Sequence, residues 1–365
     1  MTWDHPRGYD CVLAASESYR AETGIEITWD KRSLQAFADA PIDDLAKSYD
    51  FIVLDHPHVG QIAETNALLP LPPPASPDAS LGGSAESYVW HSRRWAYALD
   101  AACQMAVYRP DLGSDLPLTW EALMTEDATR FRPLTPLLPV DAVDMLMTIV
   151  ASRGEVSLPV SDTAFVSSGN GLYALEVMRA LYRLGPDEQI AMNPIKVLET
   201  LSQSDDFACS PCLFGYVNYV RPGFRARRLA YFDLPRCEGC GPPRAILGGA
   251  GIGVSARTED PETAIAFARW ITSEPVQSGV YLSNNGQPAN RGTWLAQGSN
   301  PEVAPFFEGG LHTMDNAWTR PRAPWFLDFI DDACAIMPDF FRRAIASEDF
   351  LNDLNRLYRH HRQRN

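Results

Sequence analysis

Two Asp-His-Pro triplets stand near the start of the chain: Asp4-His5-Pro6 in TWDHPRGY and Asp55-His56-Pro57 in YDFIVLDHPHVG. Each comes straight after a short apolar run, where a turn is usually built from small polar residues. A carboxylate accepts from paired hydroxyls, and an imidazole both donates and accepts. Arg7 adds a fork of donors beside the first triplet, and His58 a second imidazole beside the other. Trp3 precedes the first triplet as an apolar flank. Such a set suits a hydroxyl-rich ligand. It also suits acid–base work by an Asp–His pair. A third chemistry is a mixed N/O metal site from Asp4, His5, Asp55, His56 and His58 with tyrosinate from Tyr216 and Tyr219. The plain alternative is structural: Asp before a helix is an ordinary N-cap, and His-Pro an ordinary turn.

Further candidates lie downstream. LFGYVNYVR offers Tyr216, Asn218 and Tyr219. Tyrosine rings stack on the apolar faces of sugars while keeping a polar handle; the helical spacing of the two tyrosines equally suits simple packing. GGAGIG, from Gly248, does not complete G-x-G-x-x-G, because Val254 takes the last glycine position. Gly249 and its neighbours instead allow a backbone to come close to a ligand or to another segment. Trp318, with Arg320 and Arg322 after it, is either a stacking platform or core packing. Seven cysteines include Cys209-Ser-Pro-Cys212 and Cys237-Glu-Gly-Cys240. The two pairs fit one structural zinc, two small disulfides or four free thiols.

These residues need elements to hold them. Tyr9 to Thr23 reads as a helix closed at Gly24, and 25–30 as a half-buried strand. Residues 33–48 read as helical with a break at Pro41, followed by the strand FIVL. Strand and helix alternate, which predicts parallel pairing with right-handed crossovers. Residues 69–84, rich in Pro, Gly and Ser, form a surface loop. Residues 94–112 form two extended pieces joined at Asp100 to Cys103. Thr119 caps a helix over WEALM, helices follow near 141–153, 170–184 and 193–203, and 227–235 is a strand. Asp260-Pro261-Glu262 opens an amphipathic helix, a second runs to about 282, and 295–365 is mostly helical.

The chain of 365 residues is too long for one compact core and fits two lobes. A formal net charge of -15 disfavours nucleic acid and anionic lipid as partners. No apolar run is long enough for membrane insertion. The start of the chain has no basic-then-apolar leader. That implies the cytoplasm for the chain as written, and the periplasm if it is a processed form. No P-loop, G-x-S-x-G or H-E-x-x-H motif is present, so no cofactor is expected and a role without catalysis is favoured over an enzyme.

Four stretches in order resemble the extracellular solute-binding proteins of family 1, the receptors that serve ABC importers of sugars. They are YRAETGIEITW, YDFIVLDHPHVGQIAETNALLPL, WAYALDAACQMAVYRPDL with LPLTWEALM, and the block from Ala245 to Trp294. The last is the most specific. The twin triplets and the missing leader set this chain apart as a subgroup. The resemblance implies an α/β, two-lobed periplasmic-binding-protein-like fold of type II, with a hinge and a central ligand cleft. Lobe one would comprise 1–108 and 245–288, and lobe two 109–244 and 289–365. It implies a monomer that binds a sugar, polyol or related small molecule by hinge closure and hands it to a membrane ABC permease. It also places Asp100 near the hinge, where members contact ligand. In open α/β sheets, ligands lie beyond the carboxyl ends of strands. The resemblance therefore aims both triplets at one ligand.

Overall fold

The computed structural model describes residues 1–33, 41–74, 76, 79–113, 115–343 and 345–364. The chain divides into two compact units. The first comprises Met1–Ala102, Tyr216–Asn218 and Leu247–Asn300; the second comprises Cys103–Gly215, Tyr219–Ile246 and Pro301–Asn365. Among the described residues no helix is long and apolar enough to cross a membrane.

In unit 1 the strand Thr2–Trp3 pairs in parallel with Lys31–Arg32. A second sheet has Gly251–Val254 at its centre, antiparallel to Phe51–Leu54 on one side and Tyr97–Ala98 on the other. The expected parallel pairing therefore holds for Thr2–Trp3 with Lys31–Arg32 and for Met1, which donates to Phe51 O at 3.0 Å and accepts from Val53 N at 3.1 Å, but not for the second sheet. The late segment returns between two early strands and reverses the ladder. The strand expected over 25–30 forms at Lys31–Arg32 instead, because pairing begins where Thr2 N donates to Asp30 O at 2.9 Å. The first helix is longer than expected, Pro6–Thr23. Proline at its first position and His5 at the N-cap start it; Gly24, at φ 79°, ends it in the left-handed region. The helix expected over 33–48 falls in part on residues 34–40, outside the described residues; of the rest, Ile42–Leu45 is helical. The helices Pro6–Thr23 and Pro261–Ile271 contribute Tyr19 and Phe267 to a core that includes Trp29 and Ile252.

In unit 2 the strand Ala102–Tyr108 pairs antiparallel with Cys209–Phe214 and with Ala230–Phe232. Pro211, lacking an N–H, sits where the first ladder shifts register. Ala230–Phe232 is the short remnant of the strand expected over 227–235. Over WEALM the chain makes a 3-10 turn, Glu121–Met124, and Thr119 Oγ1 accepts from Ala122 N at 3.2 Å. The helices Pro139–Ser152, Ser168–Leu184 and Pro194–Gln203 lie close to their expected spans. Pro139–Ser152 is apolar on nearly every face and buried at every residue from Asp141 to Ser152. A helix apolar all round must be enclosed. The helices Trp325–Arg342 and Ser347–Arg364 pack against each other, and Trp325–Arg342 packs on Pro139–Ser152.

Candidate functional site

In unit 1 the first triplet is divided between two jobs. His5 caps the first helix, its Nδ1 accepting from Arg7 N at 3.0 Å. Asp4 faces outward and pairs with Lys31 Nζ at 2.7 Å, its side chain 55% exposed. Trp3 is core, and an added Cβ on Gly8 would lie 2.3 Å from its ring. The acid of the triplet thus leaves the cluster and the imidazole stays. Arg7 carries the charge inward instead. Its Nε donates to Asp100 Oδ2 at 2.8 Å and its Nη2 to Asp100 Oδ1, both residues buried. Burial opposes the Arg7 charge, but Asp100 outweighs it and holds the guanidinium protonated above its usual range. Burial pushes the Asp100 carboxyl up, with Arg7 pulling the other way.

Tyr216 completes this corner. Its ring centroid lies 4.4 Å from the Arg7 guanidinium carbon and 4.9 Å, edge-on, from the His5 ring. Gln287 fixes the segment by donating to Ala101 O at 2.7 Å and accepting from Val217 N at 2.9 Å. Asn218 is fully buried; its Nδ2 donates to Asn285 O at 3.3 Å, and its Oδ1 has no hydrogen-bond partner among the described residues. A buried acceptor left unpaired costs about 1–3 kcal/mol.

The second triplet reaches the same sheet edge. His56 is buried with its ring 6.4 Å, edge-on, from Tyr88. Tyr88 Oη lies 3.3 Å from Leu54 O and 3.4 Å from Gly249 O. Gly249, at φ 90°, runs so close to Asp100 that an added Cβ would lie 2.4 Å from its carbonyl oxygen. A continuous line of contacts therefore joins His56, Tyr88, Gly249, Asp100, Arg7, His5 and Tyr216. Asp55 and His58 are half-buried beside it, and Asp55 makes no capping bond to the short turn His56–His58. This edge holds the carboxyl ends of Thr2–Trp3, Phe51–Leu54 and Tyr97–Ala98. A groove of about 440 Å³ at the other end of the sheet, lined by Tyr49, Phe51, Arg257 and Phe267, contains none of these residues.

Unit 2 holds a second buried polar group, which the sequence reading missed in part. Arg320 Nη1 lies 3.2 and 3.3 Å from the two oxygens of Asp144. Asp141, one turn earlier on the same buried helix, is 6% exposed. It makes no hydrogen bond or ion pair among the described residues. Trp318 is 8% exposed and enclosed in unit 2, and its Nε1 has no partner among the described residues. The signal for Asp141 and Asp144 was present: two acids in a helix otherwise too apolar to face water. Tyr219 takes the packing role. Its hydroxyl donates to Glu199 Oε1 at 2.7 Å, and Arg225 Nε closes the network at 2.8 Å.

Burial, and then the nearby Asp144, raise the Asp141 carboxyl well above its ordinary 3.8, with Arg320 in opposition. A group whose folded pKa is raised binds its proton more tightly in the folded state. Its contribution is fully present below 3.8 and is lost as pH rises towards the raised value. The thermal midpoint of the unliganded protein is expected to fall over that window, and Asp141→Asn to flatten the slope. A slope unchanged in the variant would show that Asp141 is not its source.

The two cysteine pairs do not come together, and no disulfide links them. Cys209 Sγ donates to Phe131 O and Cys212 Sγ to Gln104 Oε1, both buried. Burial raises the Cys209 thiol to about 12 and the Cys212 thiol well above its ordinary range, which opposes the thiolate a metal requires. Cys237 and Cys240 form a separate turn, Cys240 N donating to Cys237 O at 3.2 Å. Among the described residues no three His, Cys, Asp or Glu side chains are placed to hold a metal ion. Nor are Asp4, His5, Asp55, His56 and His58 gathered as such a group. Asp4 is turned to Lys31, and His5 is spent on the cap.

No protein-family model matches the chain, and no curated protein matches it in sequence. Solved structures identify the fold class as the α/β fold of ABC-transporter solute-binding proteins, as expected from the sequence. One neighbour is the solute-binding protein of Thermotoga lettingae bound with alpha-D-tagatose, at TM-score 0.80 and 15% identity over 97% of this chain and 96% of that one. Another is the GacH receptor of Streptomyces glaucescens, solved unliganded and with acarbose, at TM-score 0.79 and 14% identity over 100% and 97%. Maltose-bound MalE3 of T. maritima matches at TM-score 0.78 and 20% identity over 96% and 95%.

Proposed function

We propose that the chain is the solute receptor of an ABC-type uptake system. It binds a small hydroxylated molecule, a sugar or polyol, by hinge closure, and a membrane permease is its partner. The observation that carries this reading is the unit 1 cluster. A buried Arg7–Asp100 pair, an aromatic face at Tyr216 and an unpaired buried acceptor at Asn218 meet at the strand ends where α/β folds take ligands. Arg7 and Asp100 hold one another rigidly, so ligand contacts are preorganised. Tyr216 and His5 supply ring surface for the apolar face of a sugar. Asn218 Oδ1 awaits a hydroxyl. No covalent step is required. Closure is driven by contacts that exist in the closed state alone.

A thermal-shift screen over sugars, polyols and small acids tests the reading. A cognate solute at 100 times its dissociation constant contributes about 2.7 kcal/mol and raises the midpoint by several degrees. A flat response across the sugars and polyols would overturn it.

A further inference from the structure

The two C-x-x-C pairs of unit 2 share one spacing and have opposite geometries. Cys209 and Cys212 lie on the strand Cys209–Phe214. Three residues of extended chain put their α-carbons about 10 Å apart. A disulfide spans at most about 7 Å. Both side chains are buried, and their sulfurs serve different acceptors, Phe131 O and Gln104 Oε1. That pair cannot close without breaking the strand.

Cys237 and Cys240 begin and end a reverse turn instead. Cys240 N donates to Cys237 O at 3.2 Å, and Gly239 stands third in the turn at φ 73°. A positive φ at that place defines a type II turn, which glycine adopts without strain. A turn closed in this way keeps its first and fourth α-carbons within about 7 Å, the range a disulfide spans. Pro235 before the turn, and Pro242 and Pro243 after it, limit slack in the flanking chain. The two sulfurs differ in access: Cys240 is exposed and Cys237 is buried. The Tyr173 hydroxyl stands beside the Cys237 thiol and donates to Glu121 Oε1 at 2.6 Å. Glu121 Oε2 accepts from Glu238 N, inside the turn, at 3.3 Å. The turn is thus anchored at one end and open at the other. Burial raises the Cys237 thiol to about 12, so an external reagent reacts first at Cys240.

We propose that Cys237 and Cys240 are a reversible redox pair, closed into a disulfide by exchange with an external disulfide. The Cys240 thiolate attacks one sulfur of the reagent and forms a mixed disulfide; the other half leaves and takes up a proton. Cys237 then gives up its proton, its sulfur attacks the Cys240 sulfur, and the second half leaves as a thiol. Two protein thiols and one external disulfide become one protein disulfide and two external thiols. This site does not depend on the solute-receptor reading.

The test is to hold the full chain in glutathione buffers, from fully reduced to fully oxidised, then alkylate, digest and map the peptides by mass spectrometry. The peptide with Cys237 and Cys240 is expected to lose two hydrogens, so that two of the seven thiols vanish and the rest are alkylated after denaturation. A dithiol reductant restores both. Cys237→Ser is expected to hold one glutathione on Cys240 and stop there. Cys240→Ser, a change at an exposed position, is expected to leave Cys237 unmodified. Two free thiols at this turn in fully oxidised glutathione, or a wild-type mixed disulfide that never closes, would overturn the proposal. So would a disulfide that joins another pair of cysteines, or glutathione on Cys237 in Cys240→Ser. Should Cys237→Ser fail to fold, the wild-type peptide map still decides.

Discussion

Arg7→Ala is expected to cost about 3–5 kcal/mol of folding stability and to abolish solute binding. That is the scale for removing one partner of a buried ion pair. Arg7 and Asp100 side chains are 5% and 0% exposed, so the pair is shielded from bulk water. The substitution leaves a buried carboxylate with nothing to answer it. It also strips the cation from the Tyr216 face, which lies 4.4 Å from the guanidinium. Against a typical total of about 5–15 kcal/mol, the loss takes a large share of the margin. Denaturant unfolding measures the stability and calorimetry the affinity. Stability alone does not prove a role in binding, so the double change Arg7→Met with Asp100→Leu separates the two. Replacing both charges with apolar groups of similar size is often neutral for stability. The double variant is expected to recover most of the stability and none of the binding. Recovered binding would remove the pair from the site.

Arg320→Ala is the second large effect. It leaves Asp141 and Asp144 together in a buried helix with no cation, and about 3–5 kcal/mol is again the expected cost at neutral pH. Here the sign of the pH dependence is diagnostic. Both carboxyls are already raised by burial, and losing Arg320 removes the one influence holding them down. As pH falls through their raised values both become neutral, so the deficit against wild type should shrink in acid. A pH-independent deficit would show that Arg320 acts through packing, not charge. Asp141→Asn in the same background should restore part of the loss, because the two charges act on each other and their effects do not add.

Much of the scaffold was legible in the sequence. Proline at a first helical position, glycine at a helix end and apolar spacing placed the helices Pro6–Thr23, Pro139–Ser152 and Pro261–Ile271, because caps and periodicity are local physics. The strand over 25–30 and the direction of the second sheet's ladders were misread for one reason. Pairing depends on which distant segment arrives, and Gly251–Val254 arrives antiparallel between Phe51–Leu54 and Tyr97–Ala98.

The same division runs through the candidate site. The sequence by itself determined which residue types sit at strand ends: two imidazoles, Arg7, Asp100, Tyr216 and Asn218. Its formal net charge of -15 also argues against nucleic acid as a partner. The tertiary structure decided which of them meet. Asp4 and His5 are adjacent in sequence, yet one turns to Lys31 in solvent while the other caps a helix beside Tyr216. Arg7 and Asp100, far apart in sequence, lock together. Asp141 drew no notice until its helix proved to be enclosed. Burial converts an ordinary acid into an unpaid electrostatic cost, and burial is a property of the assembled chain, not of any local run of residues.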